Sequence, residues 1–159
     1  PGLHWKYDIK HLGYNYRMSD LHAALGNSQI KKLKKFVNYR KAVAEFYNKK
    51  FYNIKGIKIP FISKDCEHSY HLYPIEIDFN FFKISRDIFL KRLLTKKISL
   101  QVHYVPIHFL SSYKNKSKEK FPVAEKYYTK TVSLPIYYNL RRKQMIKVVH
   151  EIKKILSIK

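Results

Sequence analysis

A segment near the start of the chain combines side chains suited to binding a phosphate group. From Gly13 to Asp20 it reads Gly-Tyr-Asn-Tyr-Arg-Met-Ser-Asp. The amide of Asn15 can both donate and accept hydrogen bonds, and the guanidinium of Arg17 can hold two phosphate oxygens at once. Ser19 and the acid that follows it are typical of a helix start, and the N-terminus of a helix attracts anions. The sequence therefore predicts a phosphate-contacting elbow in front of a helix.

A second segment places polar side chains where a predicted strand meets a loop. Residues 101–108 read Gln-Val-His-Tyr-Val-Pro-Ile-His, so that Pro106 fixes the backbone just after the strand. Ligand-binding side chains commonly lie on loops that a rigid scaffold positions. We therefore regard the polar side chains of this segment as candidates for ligand contact.

Other residues with chemical potential are predicted to be structural. His68 with His71, and His103 with His108, are pairs that have no third metal ligand at a useful spacing. Imidazoles beside strands are usually hydrogen-bonded within the fold, so we predict no metal site. Cys66 is the single cysteine, which excludes a disulfide framework and a cysteine-based zinc site. The four glycines are not clustered, so there is no glycine-rich phosphate loop.

Hydrophobic periodicity predicts an α+β fold in which helices cover a short sheet. Apolar residues at helical spacing predict one long helix from about Ser19 to about Asn53, with Gly26 as its weak point. The alternation over Tyr70–Phe79 predicts a strand. Further elements are predicted at 57–63 (β-prone), 85–97 (helix), 98–105 (strand), 121–130 (helix), 132–137 (strand), and in a last helix capped by Asn139. We expect three parts: an approach loop over 1–18, a connecting helix over 19–54, and a small α/β domain over 55–159.

The composition is that of a globular chain with a strong positive charge. Of its 159 residues 45% are hydrophobic, and the formal net charge is +22. Such a charge fits an anionic partner such as nucleic acid. The excess comes from 27 lysines and only 6 arginines, spread along the chain, whereas base and phosphate recognition favours arginine. A lysine-rich solvated face that reflects codon bias is the other explanation, and we expect neither a specific nucleic acid nor a membrane as partner.

Five short motifs follow one another between Gly13 and Pro135. They lie at residues 13–26, 70–75, 102–108, 121–125 and 133–135. In this order they resemble the C-terminal part of the DegT/DnrJ/StrS family of sugar aminotransferases, which use pyridoxal 5'-phosphate. The approach segment and residues 101–108 are most similar to the branch that aminates a UDP-linked 4-keto-6-deoxy hexosamine in pseudaminic acid synthesis. The resemblance implies the small C-terminal domain of a fold-type I transferase, with a short antiparallel sheet covered by helices.

The resemblance also implies roles for individual residues. Asn15 would bond the cofactor phosphate of the neighbouring subunit in a homodimer, and Arg17 would face the sugar-nucleotide phosphates across the same interface. His103, Tyr104 and His108 match a loop that lines the sugar pocket. For these three residues, support of the pocket from behind is the alternative to direct contact with the substrate.

A further implication of the resemblance concerns what this chain lacks. The lysine that forms the Schiff base with the cofactor would lie upstream of Pro1, so the chain by itself is expected to be inactive. The whole enzyme would be cytoplasmic and would transfer an amino group, with glutamate as the donor, to a nucleotide-linked 4-keto-6-deoxy sugar for surface polysaccharide or flagellin glycan synthesis. A basic nucleic-acid-binding module and a non-catalytic remnant of a truncated gene are the alternative hypotheses.

Overall fold

The computed structural model describes residues 11–14, 16–113 and 120–158, and these divide into two units. In the first unit, up to Leu33, the described residues before Asp20 form neither helix nor strand, and helix α1 (Asp20–Ile30) follows them. The Ser19 hydroxyl accepts a hydrogen bond from the backbone N–H of His22 at 3.5 Å, so the predicted N-cap is confirmed. No residue of α1 is buried, and its apolar side chains, Leu21 and Leu25 among them, are exposed.

The second unit, from Lys34 onward, carries the sheet and most of the helices that the structure describes. Three strands form an antiparallel sheet in the order β1-β2-β3, and Tyr73 of β2 stands opposite Leu134 of β3. The elements are α2 (Leu33–Phe51), β1 (Ile57–Lys58), β2 (Tyr73–Ile77), α3 (Arg86–Thr95), a 3₁₀ turn (Ile107–Phe109), α4 (Pro122–Lys130), β3 (Thr131–Leu134) and α5 (Arg142–Ile155). The predicted α+β class is confirmed.

The core of the second unit forms where the sheet meets the apolar faces of the helices. In β2 every second residue is buried, as the alternation in the sequence predicts. The helices contribute residues at spacings of three and four, which is the period of a helix with one apolar face. The buried helical residues are Val43, Ala44, Tyr47 and Phe51 of α2, Phe89 and Leu93 of α3, and Val148, Val149 and Ile152 of α5. In the described ranges, no helix combines the length and apolarity that a membrane crossing requires.

Two buried tyrosines attach α2 to the rest of the core. The Tyr47 hydroxyl donates to the backbone carbonyl of Pro135 at 3.0 Å, and the Tyr73 hydroxyl donates to Oδ1 of Asn48 at 2.5 Å. Their ring centroids lie 5.2 Å apart. Burial raises the pKa of both hydroxyls well above the usual value of about 10, because the phenolate would be poorly solvated.

We expect these tyrosines to make the fold sensitive to alkaline pH. Below about pH 10 both hydroxyls are protonated in the folded and unfolded states, and the full stability is present. Above that pH the unfolded chain ionises first, so each tyrosine lowers the free energy of unfolding by about 1.4 kcal/mol per pH unit. Urea unfolding of Tyr47→Phe should show a shallower loss of stability between about pH 10 and 11. Tyr52→Phe changes an exposed tyrosine, and its free energy of unfolding should fall with pH as steeply as that of the wild type. An equally steep fall in Tyr47→Phe would contradict the prediction.

The structure differs from the predicted elements at three places. The single helix predicted over 19–53 is two helices, interrupted at Lys31 and Lys32 rather than at Gly26. Lysines crowd this position at helical spacings of three and four, and like charges at such spacings destabilise a helix. The strand predicted over 98–105 is reduced to one bridge, in which Gln101 pairs with Ser133.

The third difference is the start of the last helix. Asn139 adopts a left-handed backbone with φ of 72° and does not cap α5. The helix instead begins after Arg141, whose backbone N–H donates to Oε1 of Gln144 at 2.8 Å. An amide side chain three residues into the helix thus satisfies the backbone group that Asn139 was predicted to serve.

Candidate functional site

The predicted phosphate elbow belongs to the first unit. Asn15 lies outside the described residues, so the structure gives no account of it. Arg17 is exposed and lies two residues before Ser19, which caps the start of α1. The rings of Tyr14 and Tyr16 lie 5.6 Å apart in the same segment. The guanidinium therefore stands close in sequence to a capped helix N-terminus, a combination suited to an anionic ligand.

His103 is held by the strand that follows α4. Its Nδ1 lies 2.9 Å from the hydroxyl oxygen of Ser133 in β3. The backbones of Gln101 and Ser133 exchange two hydrogen bonds, of 2.7 and 3.3 Å, and so fix the start of the segment that carries the histidine. The contact occupies one ring nitrogen of His103, and among the described residues no hydrogen bond is formed by the other, Nε2.

Tyr104 is positioned very differently from its neighbour. Its ring stands edge-on to that of His103, with a centroid distance of 4.8 Å and an interplanar angle of 89°. The residue is 76% exposed, although the sequence pattern predicts that it shares a face with the buried Ile98 and Leu100. The strand ends at the Gln101 bridge, so the alternation no longer holds at Tyr104 and the ring is presented to solvent.

His108 lies in the 3₁₀ turn that follows Pro106, and it contacts α4. Its Nε2 lies 3.1 Å from Oε1 of Glu125. The imidazole also contacts two aromatic rings, with centroid distances of 4.5 Å to Phe109 and 4.9 Å to Phe121. The position of the His108 ring is therefore determined by both polar and aromatic contacts.

Sequence reasoning missed the partners of the two histidines. Ser133 and Glu125 both lie within motifs that carry the family resemblance, at 133–135 and 121–125, but nothing local shows which side chains they meet. The pairs are separated by 30 and 17 residues in sequence. Only the pairing of β3 with the Gln101 bridge, and the packing of the 3₁₀ turn on α4, create these contacts.

A separate cleft of about 550 Å³ opens beside the edge strand β1. Four lysines and two acids line it, but none of the residues predicted as site residues does. The Nζ of Lys130 donates to Oδ2 of Asp78 at 2.7 Å, and this hydrogen bond holds the pKa of Asp78 below its usual range. The remaining lysines are Lys55, Lys58 and Lys126, and the second acid is Glu76. No three His, Cys, Asp or Glu residues cluster as metal ligands within 11–14, 16–113 and 120–158.

The chain matches a known family over almost its whole length. The model of the DegT/DnrJ/EryC1/StrS aminotransferase family covers residues 2–153. An uncharacterised protein of Methanocaldococcus jannaschii, MJ1066, is 37% identical over 156 residues, which are 96% of this chain and 40% of that protein. The UDP-4-amino-4,6-dideoxy-N-acetyl-beta-L-altrosamine transaminase of Campylobacter jejuni serotype O:2 is 36% identical over 140 residues, which are 87% of this chain and 37% of the transaminase.

Solved structures show the same fold. Helicobacter pylori PseC, described as an aminotransferase involved in the biosynthesis of pseudoaminic acid, superposes with a TM-score of 0.84 at 28% identity. The superposition covers 99% of this chain and 42% of that protein. The chain thus spans about 40% of the length of the curated relatives it matches.

Proposed function

Since this chain belongs to the DegT/DnrJ/EryC1/StrS aminotransferase family, we propose that it is the C-terminal part of an enzyme that transfers an amino group to a nucleotide-linked keto sugar. The observation that carries the proposal is the family match over residues 2–153. The finer substrate we propose is a UDP-linked 4-keto-6-deoxy sugar, with glutamate as amino donor. It is supported by relatives at 36% and 31% identity that are named for transamination at that position of a UDP-linked sugar.

The proposed cofactor is pyridoxal 5'-phosphate, which supplies an electron sink when it is bound. The first unit suits anionic ligands of this reaction, because Arg17 is an exposed guanidinium next to a capped helix start and fits the phosphates of a nucleotide sugar. We assign Asn15 to the cofactor phosphate and Arg17 to the phosphates of the nucleotide sugar, both across a homodimer interface. In this arrangement the two residues bind and orient anionic groups, and they transfer no protons.

The second unit is proposed to line the sugar. The exposed ring of Tyr104 offers an apolar face and a hydroxyl, and each histidine offers a ring nitrogen that forms no hydrogen bond to the residues the structure describes. Hydroxyl and amide groups of a sugar need such donors and acceptors once water is displaced. The alternative role for His103 and His108 is to support the pocket without touching the sugar.

A chimera tests the proposal directly. In the chimera, the present chain replaces the matching 37% of the Campylobacter jejuni transaminase, and the rest of that enzyme is kept. We expect the chimera to retain pyridoxal phosphate and to form glutamate from 2-oxoglutarate and UDP-4-amino-4,6-dideoxy-N-acetyl-beta-L-altrosamine. A folded chimera that loses the cofactor would contradict the phosphate assignments. One that holds the cofactor but accepts no amino sugar would favour the remnant hypothesis.

The net charge of +22 and the lysine-lined cleft favour one alternative, a nucleic-acid-binding module. We expect any binding of DNA or RNA to be independent of sequence and to disappear with salt. An interaction with 6–10 phosphate contacts loses roughly 10³–10⁵ in affinity between about 50 and 200 mM salt, because counterions are released. Fluorescence anisotropy with two unrelated duplexes at both salt concentrations checks this. Selective binding that survives the higher salt would support the module instead of the aminotransferase.

A further inference from the structure

The carboxylate of Glu125 accepts hydrogen bonds from two donors in different segments. The same oxygen, Oε1, lies 3.1 Å from Nε2 of His108 and 3.3 Å from the backbone nitrogen of Phe121. The Glu125 backbone N–H in turn donates to the carbonyl of Phe121 at 3.0 Å, which closes the first turn of α4. One side chain thus joins the start of α4 to the turn that carries His108.

This contact determines which nitrogen of His108 carries the proton. An ionised carboxylate can only accept hydrogen bonds, so the Nε2 that faces it must be a donor. In a neutral imidazole the other nitrogen is then an acceptor. Among the residues that the structure describes, no donor is hydrogen-bonded to Nδ1 of His108, and 18% of the side chain is exposed.

Of the contacts around the ring, only the hydrogen bond to Glu125 distinguishes its two nitrogens among the described residues. Phe109 and Phe121 both contact it, with centroid distances of 4.5 and 4.9 Å. A ring flip would remove Nε2 from the carboxylate while the two aromatic contacts stayed in place. His103 lacks this constraint on its proton, because the Ser133 hydroxyl beside it can either donate or accept.

We propose that Glu125 is a positioning residue that fixes His108 as the Nε2–H tautomer, so that His108 presents Nδ1 as an acceptor to a hydroxyl or amide N–H of the sugar. The part of this proposal that concerns the sugar rests on the proposed function, whereas the tautomer does not. The ligand group must be a hydrogen-bond donor, since Nδ1 of His108 is an acceptor. Sugar hydroxyl and acetamido groups are donors of this kind.

The tautomer is measured on the whole 159-residue chain without any ligand. Long-range ¹H–¹⁵N correlation spectra of histidine-labelled protein near pH 8, above the usual imidazole pKa of about 6.5, distinguish the two nitrogens. We expect His108 to show a single Nε2–H form. A single Nδ1–H form or an even mixture in the wild type would overturn the proposal, whether or not any variant folds.

Variants at Glu125 test the cause. In Glu125→Ala the His108 signals should move to values intermediate between the two tautomers, whereas Glu125→Gln retains an oxygen that accepts from Nε2–H and should restore the wild-type spectrum. Glu45→Gln removes a carboxylate from an exposed position of α2 and is expected to change nothing. An unchanged spectrum in a folded Glu125→Ala would show that Glu125 does not select the tautomer and would overturn the proposal.

The chimera tests the consequence for the sugar. Loss of one well-oriented neutral hydrogen bond should raise the KM for the amino sugar about three- to tenfold in Glu125→Ala and leave kcat largely unchanged. Glu125→Gln should return the KM to that of the parent chimera. An unchanged KM in Glu125→Ala, together with a changed tautomer, would remove His108 from the sugar site while leaving its positioning by Glu125 intact. An inactive parent chimera would contradict the proposed function and not the tautomer.

Discussion

Replacement of Phe89 by alanine is expected to lower the free energy of unfolding by about 3–5 kcal/mol. Phe89 of α3 is fully buried, and its ring lies 5.6 Å from that of Phe79, which follows β2. Truncation removes apolar contact area and leaves a cavity that the surrounding helices and sheet can close only in part. The loss is a large share of the roughly 5–15 kcal/mol that stabilises an ordinary domain.

Urea unfolding of the second unit, followed by circular dichroism, measures this loss. Phe61 is 91% exposed and serves as the matched control, so that Phe61→Ala should change the stability by no more than about 0.5 kcal/mol. Equal stabilities of the two variants would contradict the burial of Phe89 and its packing against Phe79. A broad, uncooperative transition in Phe89→Ala would indicate that the core no longer specifies one packing.

Replacement of Arg17 by alanine in the chimera is expected to raise the KM for the nucleotide sugar roughly ten- to a hundredfold. A hydrogen bond from a charged donor to phosphate contributes about 1.5–3 kcal/mol, which corresponds to that range. Retention of the cofactor should change less, because Asn15 and not Arg17 is assigned to it. The control is Arg92→Ala, which removes the same charge as Arg17→Ala but from an exposed position of α3. It should leave the KM for the nucleotide sugar unchanged.

The proposed contact of Asn15 across a homodimer interface has its own test. An Asn15→Ala chimera, which should lose cofactor, is mixed with a chimera whose Schiff-base lysine has been replaced. Each hybrid dimer then has one site with both defects and one site with neither, so that part of the activity should return. If hybrids form and activity stays absent, the cross-subunit role of Asn15 is wrong, and the residue serves either its own chain or only the entry to the helix.

The sequence predicts those parts of the fold that depend on local periodicity. Tyr73, Ile75 and Ile77 are buried on one face of β2, and Ser85 caps α3 by accepting from the backbone N–H of Ile88. The prediction of a strand over 98–105 is wrong because alternation indicates only a preference for extended backbone. A strand also requires a neighbouring segment with which it can form hydrogen bonds. The structure provides such a neighbour only at Gln101.

The candidate site is predictable in its residues but not in their contacts. His103, Tyr104 and His108 stand out because polar groups follow a predicted strand and the motif is known from a family. His103 contacts Ser133 of β3, and His108 contacts Glu125 of α4, whereas the ring of Tyr104 is exposed. These contacts depend on elements that lie 17 to 30 residues further along the chain. Long-range partners of this kind leave no periodic signal in a sequence.

The shortness of β1 bears on how the chain behaves at high concentration. As the first strand in the order β1-β2-β3, it forms an edge of the sheet, and an edge presents unpaired N–H and C=O groups on which another chain could add a strand. Here the paired length is only Ile57–Lys58, the lysine is exposed, and Pro60 removes a donor two residues later. A charged residue, a proline and a two-residue length are all features that natural proteins use against strand-mediated aggregation. The edge therefore offers a poor template for fibril growth, despite the apolar residues of the sheet behind it.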